Sequence, residues 1–127
     1  MTEQAQDRQP LLLGISNAMV KLYKEMFGRG PTRARTNFAG PDVVVCTLRD
    51  TLTPAERNLV KLGEHQRLRD IRMFFQYSSE AQLRGAVEEL TGRKVVAFVS
   101  GLDTGEDVAT EVFYLEPKNG GHRNDNH

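Results

Sequence analysis

The chain has 127 residues with 17 basic and 17 acidic side chains, so its formal net charge is zero. A neutral balance excludes a whole-protein attraction to nucleic acid or anionic membranes, and any such affinity would need a local patch. A single cysteine excludes a disulfide framework, and no apolar stretch approaches the ~20 residues of a membrane span. We therefore expect one cytoplasmic domain that has no secretory leader and does not insert directly into a membrane.

The first part of the chain predicts a flexible segment followed by a helix. Residues 1–9 are polar and are expected to be flexible. Pro10 suits the first turn of a helix, where its missing N–H costs nothing. Apolar residues then recur at helical spacing as far as Met26, and Gly28 predicts a left-handed helix end.

A β-hairpin is predicted next. Residues 32–38 alternate between polar and apolar side chains, which is typical of a strand with one buried face. Residues 39–42 have turn chemistry, and the β-branched segment 43–48 predicts a buried strand.

The middle of the chain predicts helices. Thr53 and Glu56, with Pro54 between them, form a capping-box pattern at the start of a short helix. A second helical pattern occupies residues 65–91. Ser79 could cap a new helix within it, so the sequence leaves open whether this segment forms one helix or two.

The C-terminal part predicts a second hairpin, with strands 95–102 and 108–115 joined by a turn at 103–107. Both faces of this hairpin are apolar, and such a hairpin needs cover on both sides. Helices can cover one face, and a second copy of the chain would cover the other, so we expect a homodimer. Residues 118–127 lack core-forming side chains and are expected to be disordered.

The predicted order is therefore α-β-β-α-α-β-β, a single α+β domain over residues 10–117. We expect a four-stranded, mostly antiparallel sheet with its helices on one face. The order also approximates a doubled αββ unit, because Gly28-Arg29 after the first helix and Gly92-Arg93 after the later helix are 64 residues apart.

Few side chains suggest chemistry. Cys46 lies within a predicted strand and is expected to be a small buried hydrophobe. His65 lacks neighbours at ligand spacing. The acidic residues Asp103, Glu106, Asp107 and Glu111 cluster around a turn and fit an ordinary polar hairpin turn. We therefore expect no metal, no cofactor and no catalytic residues.

Arg29, Arg33 and Arg35 form the most suggestive group. Strand alternation places Arg33 and Arg35 on one face, with Arg29 just before the strand. Three guanidinium groups can bind a phosphate, a carboxylate or an RNA backbone. No aromatic residue is interleaved with them, which weakens an RNA-stacking hypothesis. A solvated sheet face or an intersubunit salt-bridge strip remains the alternative.

Four motifs resemble those of the MpsC family, small bacterial proteins named for a Na+-translocating, membrane-potential-generating system. They are Met-Phe-Gly-Arg-Gly-Pro at 26–31, Leu-Thr-Pro-Ala-Glu at 52–56, Leu-Thr-Gly-Arg-Lys-Val-Val-Ala-Phe at 90–98 and Glu-Val-Phe-Tyr-Leu-Glu-Pro at 111–117. The resemblance implies a non-catalytic accessory or regulatory protein that associates with subunits of a membrane system for Na+ or bicarbonate translocation. The alternative function is an RNA- or anion-binding module that uses Arg29, Arg33 and Arg35.

Overall fold

A computed structural model of the protein describes residues 2–118, with side chains from residue 8 onward. The elements within this range are α1 Thr2–Phe27, β1 Arg33–Phe38, β2 Val43–Arg49, α2 Pro54–Lys61, α3 His65–Ser78, α4 Glu80–Thr91, β3 Val95–Asp103 and β4 Val108–Leu115. The disorder predicted for residues 118–127 lies outside the described residues, apart from Lys118.

The four strands form one antiparallel sheet in the order β1-β2-β4-β3. The strands alternate between buried and accessible side chains, as in β2, where Val44, Cys46 and Leu48 are buried. These residues pack in one core with α1, α3 and α4, represented by Met19, Leu68 and other helical side chains. The α+β class, the two hairpins and the helical layer on one sheet face are therefore confirmed.

The first helix begins earlier than the sequence predicted. It starts at Thr2, so Pro10 lies inside the helix and not in its first turn. A proline inside a helix removes one backbone donor and its ring clashes with the carbonyl four residues earlier, so Pro10 disfavours helix in the turn before it and leaves the following residues free to continue the helix. The flexibility predicted for residues 1–9 stays a prediction.

The segment 65–91 forms two helices, which settles the question that the sequence left open. The helix is interrupted at Ser79, between α3 and α4, and the Ser79 side chain makes no capping hydrogen bond. The break that the sequence allowed is therefore present without the side-chain cap. It accompanies different packing, since α3 packs against β3, whereas α4 also packs against α1. The element order consequently contains one helix more than predicted.

The capping box at the start of α2 is confirmed and also holds the tertiary fold. The Glu56 N–H donates to Thr53 Oγ1 at 3.2 Å, and the Thr53 N–H donates to Glu56 Oε1 at 2.8 Å. The fully buried Arg72 of α3 donates to the same carboxylate at 2.8 and 2.6 Å. Its guanidinium lies 3.6 Å from the centre of the Phe27 ring. One local motif therefore joins three helices.

Candidate functional site

The sheet face opposite the helices, here called the open face, is the main accessible surface formed by the strands. No side chain on it is fully buried within the described chain. Its residues are Arg33, Arg35, Asn37, Val43, Val45, Thr47, Arg49, Val96, Ala97, Val99, Gly101, Asp103, Val108, Thr110, Val112 and Tyr114.

One end of the open face is basic. Arg33 lies directly opposite Arg49 in the hairpin register, and Arg35 lies opposite Thr47. Together with Thr32 and Ala34, these four residues line a groove of about 480 Å³. Within the described residues, Arg33, Arg35 and Arg49 form no ion pair. Neighbouring guanidinium groups repel each other, and this repulsion favours the binding of an anionic group beside them.

The predicted arginine trio does not converge on this groove. Arg29 pairs with the Asp50 carboxylate at 2.8 Å and donates to the Asp50 carbonyl at 3.2 Å, so it fixes a connecting loop. Arg49 takes its place, because the hairpin register brings the end of β2 beside the start of β1. Counting outward from the predicted turn at 39–42 would place Arg33 opposite Leu48, one residue away from the observed register, so the sequence did not reveal this pairing.

A neighbouring groove, also of about 480 Å³, shares Arg33 and Arg49 with the first. It adds Arg57 and Lys61, but also the carboxylates of Asp50, Glu106 and Asp107. Arg57 is paired with Asp50. The charge in this second groove is therefore mixed, and the first groove is the better anion site.

The other end of the open face is apolar. The side chains of Val96, Val99 and Tyr114 are 54%, 49% and 41% exposed. Val45 and Val112 lie on the two inner strands, β2 and β4, and are half-buried. Contiguous apolar surface of this kind usually marks an interaction site. The apolar outer face that the sequence predicted is thus present, and the described chain leaves it uncovered.

A polar row crosses the buried face of the sheet. Strand pairing aligns Thr36, Cys46, Glu111 and Ser100 across all four strands. From the helical layer, Ser16 bonds Thr36 at 2.8 Å. The row has the same pattern on both sides of the sheet. Each outer strand contributes a hydroxyl group, Thr36 on β1 and Ser100 on β3, next to Cys46 or Glu111 on the neighbouring inner strand. Sequence reasoning missed it because Glu111 was grouped with the acidic turn residues.

Glu111 is the most perturbed acid in this row. It is fully buried, accepts a 2.5 Å hydrogen bond from the Tyr23 hydroxyl, and lies 3.4 Å from the Gln76 amide nitrogen. Burial raises the pKa of Glu111 to about 7, although hydrogen bonds from Ser100 and Tyr23 oppose the rise. Burial also raises the pKa of Tyr23 well above its ordinary value. At neutral pH the row therefore contains a carboxyl group close to its titration midpoint.

The remaining candidates have structural roles. Cys46 is fully buried, as predicted, and burial raises the pKa of its thiol to about 11, which disfavours a reactive thiolate. Asp107 accepts from the backbone N–H groups of Thr51 and Leu52 at 2.8 and 3.1 Å and so fixes a loop. In the part of the chain with described side chains, no three His, Cys, Asp or Glu residues cluster as a metal site.

The helical layer also carries an exposed apolar surface, the α3 ridge, formed by Ile71, Phe74 and Phe75. Their exposed fractions are 44%, 67% and 43%. Spacings of three and four residues place them on one side of the helix. Phe74 contacts Phe75 edge to face at 5.6 Å, and Phe75 contacts Phe27 at 6.1 Å, so the ridge is anchored to the core.

These features define a small α+β protein with two accessible apolar surfaces and a basic groove. No helix within residues 2–118 is long and apolar enough to cross a bilayer. The chain belongs to the MpsC family, whose model is described as a Na+-translocating membrane potential-generating system and matches residues 8–117.

A curated relative has been described only as the uncharacterized protein YrhF of Bacillus subtilis (strain 168). It is 33% identical over 107 residues, covering 77% of this chain and 81% of the relative. No solved structure matches the chain with significance. Neither the family description nor the relative's description names a catalytic residue.

Proposed function

We propose that the protein is a non-catalytic accessory or regulatory subunit of a membrane system that translocates an ion, with Na+ favoured over bicarbonate. The observation that carries this proposal is the family match over residues 8–117, whose description names Na+ translocation. Since no described helix can span a bilayer, the chain acts through a membrane-embedded partner and not as the ion pathway. Its place is the cytoplasmic face of that partner.

The α3 ridge is the contact surface that we assign to the membrane partner. Phe74 is the most exposed aromatic residue on it and is held in position by Phe75. Aromatic side chains with a rigid anchor supply much of the binding energy at protein interfaces. The ridge lies in the helical layer, on the other side of the sheet from the open face, so both surfaces can be occupied at once.

The test combines capture with a functional measurement. We expect a tagged chain to co-purify, from detergent-solubilised membranes, with a multi-span ion-translocating subunit. Deleting the gene is expected to lower the Na+-dependent membrane potential of inverted vesicles, measured with a potential-sensitive dye as the difference between Na+ and K+ buffers. The wild-type chain restores the signal, whereas Phe74→Asp does not.

Leu13→Asp provides the matched control, since Leu13 is 62% exposed on α1 and lies outside the ridge. It should restore the potential as the wild type does. Clean capture without such a subunit, or an unchanged Na+-dependent potential after deletion, would contradict the proposal. If Phe74→Asp and Leu13→Asp both failed to restore the potential to the same extent, the α3 ridge would not be the contact surface.

A second candidate function is anion binding in the first groove, because Arg33, Arg35 and Arg49 line it without ion-pair partners in the described residues. Inorganic phosphate and a short RNA are the probes. Binding should weaken as salt rises and should be lost when Arg33 and Arg35 are both changed to Ala. Salt-independent binding, or binding that survives the double change, would exclude this function.

A further inference from the structure

The register of the sheet orders the open face into rows that run across all four strands. At one end of the strands, the pairing aligns two arginines with one aspartate. We call this the charged row, and its members across β1, β2, β4 and β3 are Arg33, Arg49, Val108 and Asp103. Positive charge therefore lies at the β1 edge of the sheet and negative charge at the β3 edge.

A second row lies four residues further along each strand and is mainly apolar. We call it the valine row, and its members are Asn37, Val45, Val112 and Val99. Beyond it, Val43, Tyr114 and Ala97 continue the apolar end of the face. The open face is thus divided twice: from charged to apolar along the strands, and from basic to acidic across them.

We propose that two copies of this chain stack open face against open face, around a twofold axis that runs parallel to the strands. Such an axis keeps each row at its own level and exchanges the β1 edge with the β3 edge. The valine row then lies over the valine row of the second copy, with Val45 facing Val112. Arg33 of one copy faces Asp103 of the second copy, and this ion pair occurs twice.

The other twofold axes in the plane of the sheet fit this surface less well. An axis perpendicular to the strands lays the whole charged row over the apolar end, so that Arg33 and Asp103 are also desolvated without an opposite charge. The two diagonal axes place either Arg33 over Arg33 or Asp103 over Asp103, which are repulsive pairs. Of these axes, only the strand-parallel axis places Arg33 over Asp103, although it also lays Arg49 over Val108.

Sheet-on-sheet packing supports the same arrangement. Packed sheets lie about 10 Å apart with strand directions within about 30° of each other, as a strand-parallel axis requires. An arginine side chain bridges much of that gap, so Arg33 can reach a carboxylate on the facing sheet. The stacking also removes Val96, Val99 and Tyr114 from water, whereas anion binding alone would leave these side chains exposed.

This inference concerns the isolated protein and does not depend on the membrane partner proposed above. Its test is a charge exchange followed by sedimentation velocity and light scattering. Wild type is expected to be a dimer. Arg33→Glu alone and Asp103→Arg alone should each weaken self-association about tenfold or more, because like charges then face each other twice.

Mixing the two single variants tests whether the twofold axis of the dimer runs parallel to the strands. In a mixed dimer, the glutamate introduced by Arg33→Glu faces the arginine introduced by Asp103→Arg, and the unchanged Arg33 and Asp103 face each other. The mixture should therefore form heterodimers with affinity close to wild type. The chain that carries both changes should also dimerise. Arg69→Glu, which reverses a charge on α3 away from the open face, is the matched control and should remain dimeric.

Val112→Asn tests the same surface without a charge change and should also weaken the dimer, because Val112 faces Val45 of the second copy. Circular dichroism verifies that each variant is folded. A wild-type chain that stays monomeric would overturn the proposal. Single charge variants that remain dimeric, or that dissociate without rescue on mixing, would overturn the strand-parallel axis.

Discussion

The buried carboxyl of Glu111 makes the stability of this protein depend on pH in an unusual direction. Its pKa is raised from 4.5 to about 7 in the folded protein, so the folded state binds more protons than the unfolded state between these values. The free energy of unfolding therefore falls as pH rises through this window and levels off above it. Each pKa unit corresponds to ~1.4 kcal/mol, which gives a total loss of roughly 3 kcal/mol.

Replacing Glu111 with Gln removes the titration and keeps a side chain of nearly the same shape. The Tyr23 hydroxyl can still donate to the amide oxygen in place of the carboxylate, to which it now donates at 2.5 Å. We expect the variant and the wild type to have similar stability at pH 5, where the wild-type carboxyl is protonated. At pH 8 the variant should be the more stable protein by roughly 3 kcal/mol.

Urea unfolding monitored by circular dichroism, repeated at half-unit steps from pH 5 to 8, measures this difference directly. The tyrosine and the neighbouring Arg72 and Cys46 are present in both proteins, so their contributions largely cancel in the comparison. Glu25→Gln, at an exposed position of α1, is the control, and its free energy of unfolding should change with pH as that of the wild type does. If the free energy of unfolding of Glu111→Gln changed with pH as that of the wild type does from pH 5 to 8, the raised pKa of this carboxyl would be refuted.

Three further predictions concern the core and the helix cap. Thr53→Ala removes the α2 cap and should lower the free energy of unfolding by about 1 kcal/mol in chemical denaturation, whereas no measurable change would contradict the capping role. Arg72→Met leaves the Glu56 carboxylate without its guanidinium partner and should cost about 3 kcal/mol in the same assay; a neutral result would show that the pair contributes nothing net. Cys46 should react with a thiol reagent only after unfolding, and rapid labelling of the native protein would disprove its burial.

The elements that the sequence predicted well are those set by local interactions. The Thr53–Glu56 cap joins residues three positions apart, so its hydrogen bonds depend little on the rest of the fold. The last strand, Val108–Leu115, has the predicted bounds, since side-chain alternation and turn residues define it within its own length. The left-handed Gly28 and Gly92 likewise follow the two helices as their local pattern indicates.

The tertiary structure decided everything that depends on partners far apart in the chain. Arg29 is paired with Asp50 and Arg49 joins the groove because the β1–β2 register and the following loop set those distances. The interruption at Ser79 accompanies packing of α3 and α4 on different neighbours, and no side-chain cap is present there. In the sequence Glu111 groups with the acidic residues around the 103–107 turn. Only the tertiary structure buries it beneath α1 and α3, where removal of water changes its acidity.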